Sequence, residues 1–216
     1  MMIQSLAQAI YNMTKQDRWK DHYSIRAREE RWLARSVYKL EEIDRRHRII
    51  RRGFRVLDLG CYPGSWSQYC LKRVGKGGEV VGLDIRPPHG ISDANFRFIK
   101  TNILNLETGD LARDVGIMDA VISDLAPDTT GISLVDTSQS LALAEKALEI
   151  ALAVLKERGH FLCKVFEGED FKAYKERVSG CFDQIRVLKP AAVRKRSREV
   201  YLLGLGLVSS VYIQEV

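Results

Sequence analysis

Apolar residues recur along this chain with two periods, and the points where one period gives way to the other divide it into short strands and longer helices. Val56, Leu57 and Leu59 form a compact apolar run of buried-strand type, Asp58 interrupts it near its carboxyl end, and Gly60 and Gly64 bracket a tight turn. Trp66, Tyr69, Cys70 and Arg73 follow at helical spacing, so the turn opens a helix over 65–74 whose first amide groups point back at a ligand. Further strands are predicted at 79–84, 95–100, 118–123, 159–166, 184–188 and 199–208. Helices are predicted at 36–46, where Val37, Leu40 and Ile43 share a face, at 136–158 and at 171–178. The long one has Asp136 as its cap, Gly159 as its stop, and a sheet-facing stripe of Leu141, Ala144, Leu148, Ala151, Leu152 and Leu155.

Such alternation predicts an α/β fold, a mostly parallel seven-stranded sheet with helices on both faces. The last two strands are joined without a convincing helix, which predicts an antiparallel edge. In open sheets of this type the turn after the first strand lies at the carboxyl ends of the strands, where ligands bind.

Composition narrows the picture. With 216 residues and 45% hydrophobic content, the chain can bury one α/β domain plus an appendage. No window reaches the ~18 consecutive apolar residues of a membrane span, and residues 1–16 read as a short surface helix or frayed extension of a cytoplasmic protein. Cys61, Cys70, Cys163 and Cys181 form no Cys-x-x-Cys pair, and His22, His47, His89 and His160 show no ligand spacing, so no metal is implied.

Charge is unevenly spread. Between Arg18 and Arg52 there are twelve lysines and arginines against six acids, an excess equal to the +6 of the whole chain. Trp19, Tyr23, Trp32 and Tyr38 are interleaved with them, planar groups able to stack on bases or on each other. The chain therefore divides into a basic N-terminal helical appendage, 1–52, and an α/β domain, 53–216.

The loop itself excludes some ligands. It lacks the second and third glycines of a dinucleotide fingerprint and the Gly-Lys-Ser/Thr of a Walker loop, and suits a nucleoside carrying an amino acid better than one carrying phosphates. The strand over 79–84 ends in Asp84, 24 positions after Gly60, where an acid can accept both hydroxyls of a ribose. Asp124, Lys164 and Glu199 lie at or near the ends of apolar strands, where an unpaired charge is costly, so they are expected to pair with one another. Taken singly, each feature has a plain alternative: ordinary turn glycines, a solvated basic face, structural ion pairs, and for Lys39 a surface lysine.

Together they resemble one family. Asp58-x-Gly60-x-x-Pro63-Gly64 is similar to the S-adenosylmethionine loop of the FtsJ/RrmJ family of RNA ribose 2'-O-methyltransferases. The Lys-Asp-Lys-Glu tetrad of that family is matched by Lys39 in Ser-Val-Tyr-Lys-Leu, Asp124 in Ser-Asp-Leu-Ala-Pro, Lys164 in Cys-Lys-Val-Phe and Glu199 in Ser-Arg-Glu-Val-Tyr. The resemblance runs from about Trp19 to Leu205 and implies a Rossmann-like methyltransferase fold for 53–216.

It implies S-adenosylmethionine as cofactor, without a metal, held by Asp58, Gly60, Gly64, Trp66, Asp84, Asn102 and Asp124. Gly64 and Trp66 match the surroundings of the methionine part, Asp84 the ribose acceptor, and Asn102 stands where an acid usually receives the adenine amino group. Asn102, Ser65 and Tyr62 depart from the family pattern; the amide oxygen of Asn102 can still accept, and the other two crowd the turn.

The implied substrate is a ribose in RNA, a uridine of large-subunit ribosomal RNA, with the subunit itself as a partner; a transfer RNA ribose, or a silent RNA-binding protein of the same fold, is the alternative. Neither DNA nor a membrane is expected as a partner. The basic segment from Arg26 to Arg52, with Arg26, Arg28, Arg31 and Arg35 foremost, and the late cluster Arg194, Lys195, Arg196 and Arg198 would flank the catalytic edge and hold phosphates. Lys164 is the implied base. Burial and a neighbouring cation lower a lysine's pKa while adjacent carboxylates raise it, so the residues leave open whether Lys164 takes the proton or steers the hydroxyl.

Overall fold

The computed structural model describes residues 15–128, 130–194 and 197–208; the expected N-terminal element lies outside them as far as residue 14. Fourteen elements follow in order. They are α1 (Lys15–Glu29), α2 (Val37–His47), β1 (Arg55–Leu59), α3 (Ser65–Val74), β2 (Glu79–Asp84), β3 (Phe96–Lys100), a 3-10 turn (Ile103–Asn105), α4 (Thr108–Val115), β4 (Met118–Ser123), α5 (Ser133–Val154), β5 (Leu155–Phe166), α6 (Phe171–Ser179), β6 (Phe182–Leu188) and β7 (Glu199–Leu207).

One seven-stranded sheet runs β3-β2-β1-β4-β5-β7-β6. The pairs β1–β2, β2–β3, β1–β4 and β4–β5 are parallel, whereas β7 is antiparallel to both β5 and β6. The antiparallel strand therefore lies at the expected end of the sheet, slotted between β5 and the rim strand β6. Strand order reverses between β1 and β4, which opens a crevice above their carboxyl ends. The turn after β1 is fastened beside that crevice by the amides of Gly60 and Cys61, both donating to the carbonyl of Leu83, the penultimate residue of β2, at 2.8 and 3.1 Å.

Each sheet face has its own core. On one, α5 contributes Ala144, Ala147, Leu148, Ala151 and Val154 against Leu57, Val121, Phe161 and Leu202. On the other, Val37, Leu40 and Ile43 of α2 pack with Cys70 and Val74 of α3 against Val56, Ile122 and Tyr201. Since Ile49 and Ile50 are also fully buried there, the segment up to 52 differs from the rest in charge and not in packing: its second half is part of the domain's core. Among the described residues no helix is long and apolar enough to cross a membrane.

Two boundaries differ from the sequence pattern. Helix α5 begins at Ser133 and ends at Val154, and Asp136 is not its cap; it accepts from the amide and hydroxyl of Thr130 at 2.7 and 2.8 Å, tying down the preceding loop. Gly159 is no stop, because Leu155 is already extended and starts β5. The register with β4 shifts between Met118 and Ala120, and Arg158 takes a positive φ of 62° at this irregularity. Leu155 is buried in either conformation, so its apolar character could not tell helix from strand. Helix α4 escapes pattern reading because it buries only Leu111 and Val115.

Candidate active site

Three strand ends and one helix converge at the carboxyl edge of the sheet. Asp124 follows the last residue of β4, Ser123, which pairs with Cys163 on β5; Lys164 comes next on β5 and pairs with Tyr201 on β7, and Phe166 pairs with Glu199. Cys163 and Lys164 are neighbours on one strand and face opposite sides, the thiol joining the core under α5. Lys39, on the first turn of α2, lies off the stripe of Val37, Leu40 and Ile43, as its spacing predicts, but it does not end in solvent. Its side chain is 13% exposed and reaches across to the sheet.

The head groups are linked directly. Lys164 Nζ lies 3.1 Å from Asp124 Oδ1 and donates to the Asp124 backbone carbonyl at 2.6 Å. Lys39 Nζ lies 2.6 Å from Glu199 Oε1 and 3.9 Å from Asp124 Oδ1. Asp124 and Lys164 pair as expected, whereas Glu199 pairs with Lys39, which links the two pairs through Asp124. Two ammonium groups balance two carboxylates in a largely buried site, which is the condition for keeping such charges out of water.

A fifth member was not anticipated. The Tyr201 hydroxyl lies 2.6 Å from Asp124 Oδ1 and 3.0 Å from Glu199 Oε1, so its one proton is shared between two carboxylates. Burial, then the Asp124 and Glu199 charges, push this phenol well above its ordinary range, so it stays a donor. The available signal was the period of two on β7, which puts residue 201 on the same face as residue 199. For Asp124, burial alone would raise the carboxyl, but Lys164, Lys39 and the Tyr201 hydroxyl outweigh it and hold it below the usual carboxylate range.

Beside the cluster is a cleft of about 310 Å³ lined by Gly60, Tyr62, Asp84, Arg86, Asn102 and Leu125 among others. Asp84 is aimed by backbone donors, Tyr62 N–H to Oδ2 at 3.0 Å and Arg86 N–H to Oδ1 at 2.9 Å, and each oxygen retains a further lone pair. The Asn102 oxygen accepts from the Leu104 amide at 3.1 Å, so part of its capacity is already engaged in capping the 3-10 turn. Gly60 has φ +80°, and a Cβ there would fall 2.7 Å from Leu125 Cδ2, so only glycine fits between the loop and the segment after β4.

Asp58 lies fully buried on β1. Its Oδ2 accepts from Ser67 Oγ at 2.6 Å, while Oδ1 has no partner among the described residues. Burial, against the Ser67 hydrogen bond and with the Asp124 and Asp84 charges, raises its carboxyl to about 7. The orphaned Asp58 oxygen, the aimed Asp84 carboxylate and the open amides in the first turn of α3 fit a nucleoside with a charged amino-acid tail.

Trp66 lies in the first turn of α3. Its indole is 3% exposed, donates to the Ser36 carbonyl at 2.9 Å and packs against the Tyr201 ring, so it fastens α2 to the loop and leaves only its backbone amide for a ligand. Gly64, with φ +120°, is enclosed by Leu33, Pro88 and Ile91.

The expected phosphate-binding arginines fall into distinct groups. Arg28, Arg31 and Arg194 are exposed. Arg35 is half-buried and within electrostatic reach of Arg194 and Glu199; burial, then Arg194, lowers its pKa. Arg26 is engaged, 2.7 Å from Glu30 and stacked on the Tyr38 ring, and Arg198 donates to the Ser133 hydroxyl. Lys195 and Arg196 lie outside the described residues.

A doubly wound sheet with a glycine turn after β1, an acid closing β2 and an ion-paired cluster closing β4, β5 and β7 defines an α/β enzyme of the nucleoside-cofactor class. Residues 32–207 match the model of FtsJ-like methyltransferases, and the chain belongs to that family. It is 41% identical over 200 residues to Ribosomal RNA large subunit methyltransferase E of Desulfosudis oleivorans, covering 93% of this chain and 97% of that protein. It is 45% identical to the protein of the same name from Desulfatibacillum aliphaticivorans, over 86% of this chain and 90% of that one. Among solved structures, a protein from Plasmodium falciparum assigned as a ribosomal RNA methyltransferase superposes with a TM-score of 0.72 at 25% identity, over 82% of this chain and 100% of that one. Membership implies S-adenosylmethionine as the methyl donor.

Proposed function

We propose that the protein methylates a ribose 2'-oxygen, that of a uridine in large-subunit ribosomal RNA, with S-adenosylmethionine as donor and no metal. The observation that carries the reading is the chain of ion pairs Lys164–Asp124–Lys39–Glu199 at the carboxyl edge of the sheet, next to the cleft of Gly60, Asp84 and Asn102. Asp84 would hold the cofactor's ribose, Asn102 its adenine edge, and Asp58 with the first amides of α3 its methionine end. Bound there, the cofactor supplies a methyl group already activated on a sulfonium.

The protein's work is then to aim the 2'-oxygen and remove its proton. Lys164 Nζ is fixed by two contacts, both to Asp124, which leaves one of its three hydrogen-bonding directions for a substrate oxygen. In its neutral form that direction carries the lone pair that receives the 2'-hydroxyl proton. Lys39 lies at the same Asp124 oxygen, so one carboxylate sets the spacing of the two lysines. Glu199 and Tyr201 keep Lys39 and Asp124 in place. A ribosomal RNA substrate places this work in the cytoplasm, on free RNA or on the large subunit.

The test is incubation of the purified protein with labelled S-adenosylmethionine and large-subunit RNA, assembled subunits or transfer RNA, followed by alkali digestion. Label retained in alkali-resistant dinucleotides from the ribosomal substrates is the expected result, because a methylated 2'-oxygen cannot attack its own phosphodiester. Label recovered in mononucleotides, or in transfer RNA alone, overturns the reading.

A further inference from the structure

Away from the catalytic edge, the carboxyl end of α2, the segment leading into β1 and the second half of α3 enclose a cleft of about 790 Å³. Five arginines line it: Arg45, Arg48, Arg51, Arg52 and Arg73. Lys39 and Arg48 are nine residues apart in α2 and its cap, so the cleft is displaced from the tetrad by about 14 Å along the helix axis.

The carboxylates in this cleft do not balance its arginines. Asp44 is buried and already satisfied, accepting from the Ile50 amide at 2.9 Å, the Tyr69 hydroxyl at 2.8 Å and Arg73 Nε at 3.0 Å. Glu41 is the other acid in the lining. Among the described residues no carboxylate lies within 4.0 Å of Arg45, Arg48, Arg51 or Arg52. Basic residues in a last turn offset a helix dipole, which accounts for Arg45 and Arg46. It does not account for Arg48, Arg51 and Arg52, which lie at or beyond the helix end and face the same concavity. Guanidinium groups present planar forks matched to phosphate oxygens, and exposed cations with no carboxylate partner repel one another until an anion joins them.

We infer that this arginine cleft is a second anchoring site for the RNA substrate, taking backbone phosphates of a segment distant from the modified nucleotide. The inference rests on the proposed RNA activity for the identity of the polyanion, and it gives the far end of the basic segment, joined by Arg73 of α3, a site of its own apart from the tetrad.

The test uses the full-length protein and the triple variant Arg45→Gln, Arg48→Asn, Arg52→Gln. Asparagine is chosen at 48 because that residue has φ 55°, a left-handed conformation that asparagine tolerates. Affinity is measured over a salt series for a long fragment of large-subunit RNA and for an oligonucleotide of a few nucleotides, too short to span both sites. The expected result is about a tenfold loss for the long fragment and a log–log salt slope shallower by about two to three. Oligonucleotide binding, S-adenosylmethionine binding and turnover at saturating RNA stay at wild-type levels. Lysines at the same three positions restore the slope, and matching thermal unfolding shows that the fold is intact. Wild-type affinity and slope in the triple variant overturn the inference, as does a wild-type protein whose RNA binding is insensitive to salt. Because binding is read without methyl transfer, a protein that loses RNA at the cleft but transfers no methyl group sinks the activity and leaves the cleft standing.

Discussion

The two ends of α2 carry the same sign of charge and use it in opposite ways. At its first turn Lys39 is drawn inward and held between Glu199 and Asp124, so that its charge is cancelled within hydrogen-bond distance. At its far end Arg45 and Arg48 stand in a cleft whose buried acid, Asp44, is already satisfied by other donors. The difference separates two kinds of work: a balanced, desolvated cluster positions atoms for a reaction, whereas an unbalanced, wet one recruits a polyanion. Substitutions at the first should change turnover, and those at the second should change affinity and salt dependence.

The sharpest break of this division is Lys164→Ala. It removes the head group proposed to receive the proton, and the loss in turnover should be about a thousandfold or more. Cofactor affinity should stay within about twofold, because the residues proposed to hold the cofactor, Asp84 and Asn102, line a cleft that does not include Lys164. Single-turnover methylation alongside equilibrium binding of S-adenosylmethionine checks both. Retained turnover would remove Lys164 from the chemistry.

Asp58 extends the comparison to acids. Asp124 is half-buried with two cations beside it and held low, whereas Asp58 is fully buried with only the Ser67 hydroxyl and raised to about 7. The unfolded chain releases the Asp58 proton near pH 4, but the folded chain keeps it until about pH 7. The folded state therefore binds more protons in that window, and stability falls as pH rises from 4 to 7 and then levels off. Asp58→Asn removes this dependence, a flattening of the order of a few kcal/mol between pH 5 and 8. Urea unfolding at the two pH values measures it, and an unchanged difference between them would show that the carboxyl titrates normally.

How much of this was legible in the chain follows from what each residue contrasts with. Asp124, Lys164 and Glu199 stood out because charges interrupt apolar strands, and the glycine turn stood out because its breakers fall between a strand pattern and a helix pattern. Tyr201 did not, since a tyrosine in a strand is unremarked by any pattern until its hydroxyl is seen to touch two carboxylates. Helical spacing puts Trp66 on the helix after the turn but does not show that Ser36 lies there to take its indole N–H. The basic run up to Arg52 was plain as charge, but only tertiary packing brings Arg73, from another helix, to Arg48 and Arg52.

Tyr201→Phe tests the balance within the catalytic cluster at smaller cost. It deletes one proton shared by two half-buried carboxylates and leaves the ring packing against Trp66. The unmet acceptors should cost about 1–3 kcal/mol of stability. Because the phenol holds Asp124, which in turn fixes Lys164, turnover should fall by about tenfold, with KM for RNA unchanged. Urea unfolding and steady-state kinetics separate the two effects. A change in RNA affinity instead would mean that the hydroxyl belongs to the recruiting surface.

The smallest effect belongs to Arg26, which tests whether charge alone or unpaired charge marks the RNA surface. Arg26 is 2.7 Å from Glu30 and lies over the Tyr38 ring, so it already has an anion and a stacking partner. Glu30 is itself held by Trp32 Nε1 at 2.9 Å and Tyr38 Oη at 3.1 Å, and would stay in place without its arginine. Arg26→Ala should therefore change affinity for ribosomal RNA by less than about twofold and leave the salt slope unaltered, because no phosphate contact is lost. Arg194→Ala, at an exposed residue with no carboxylate within 4.0 Å among the described residues, should weaken binding several-fold and reduce the slope by about one. Equal effects from the two would mean that RNA responds to the summed field of this face and not to the particular cations that lack a partner.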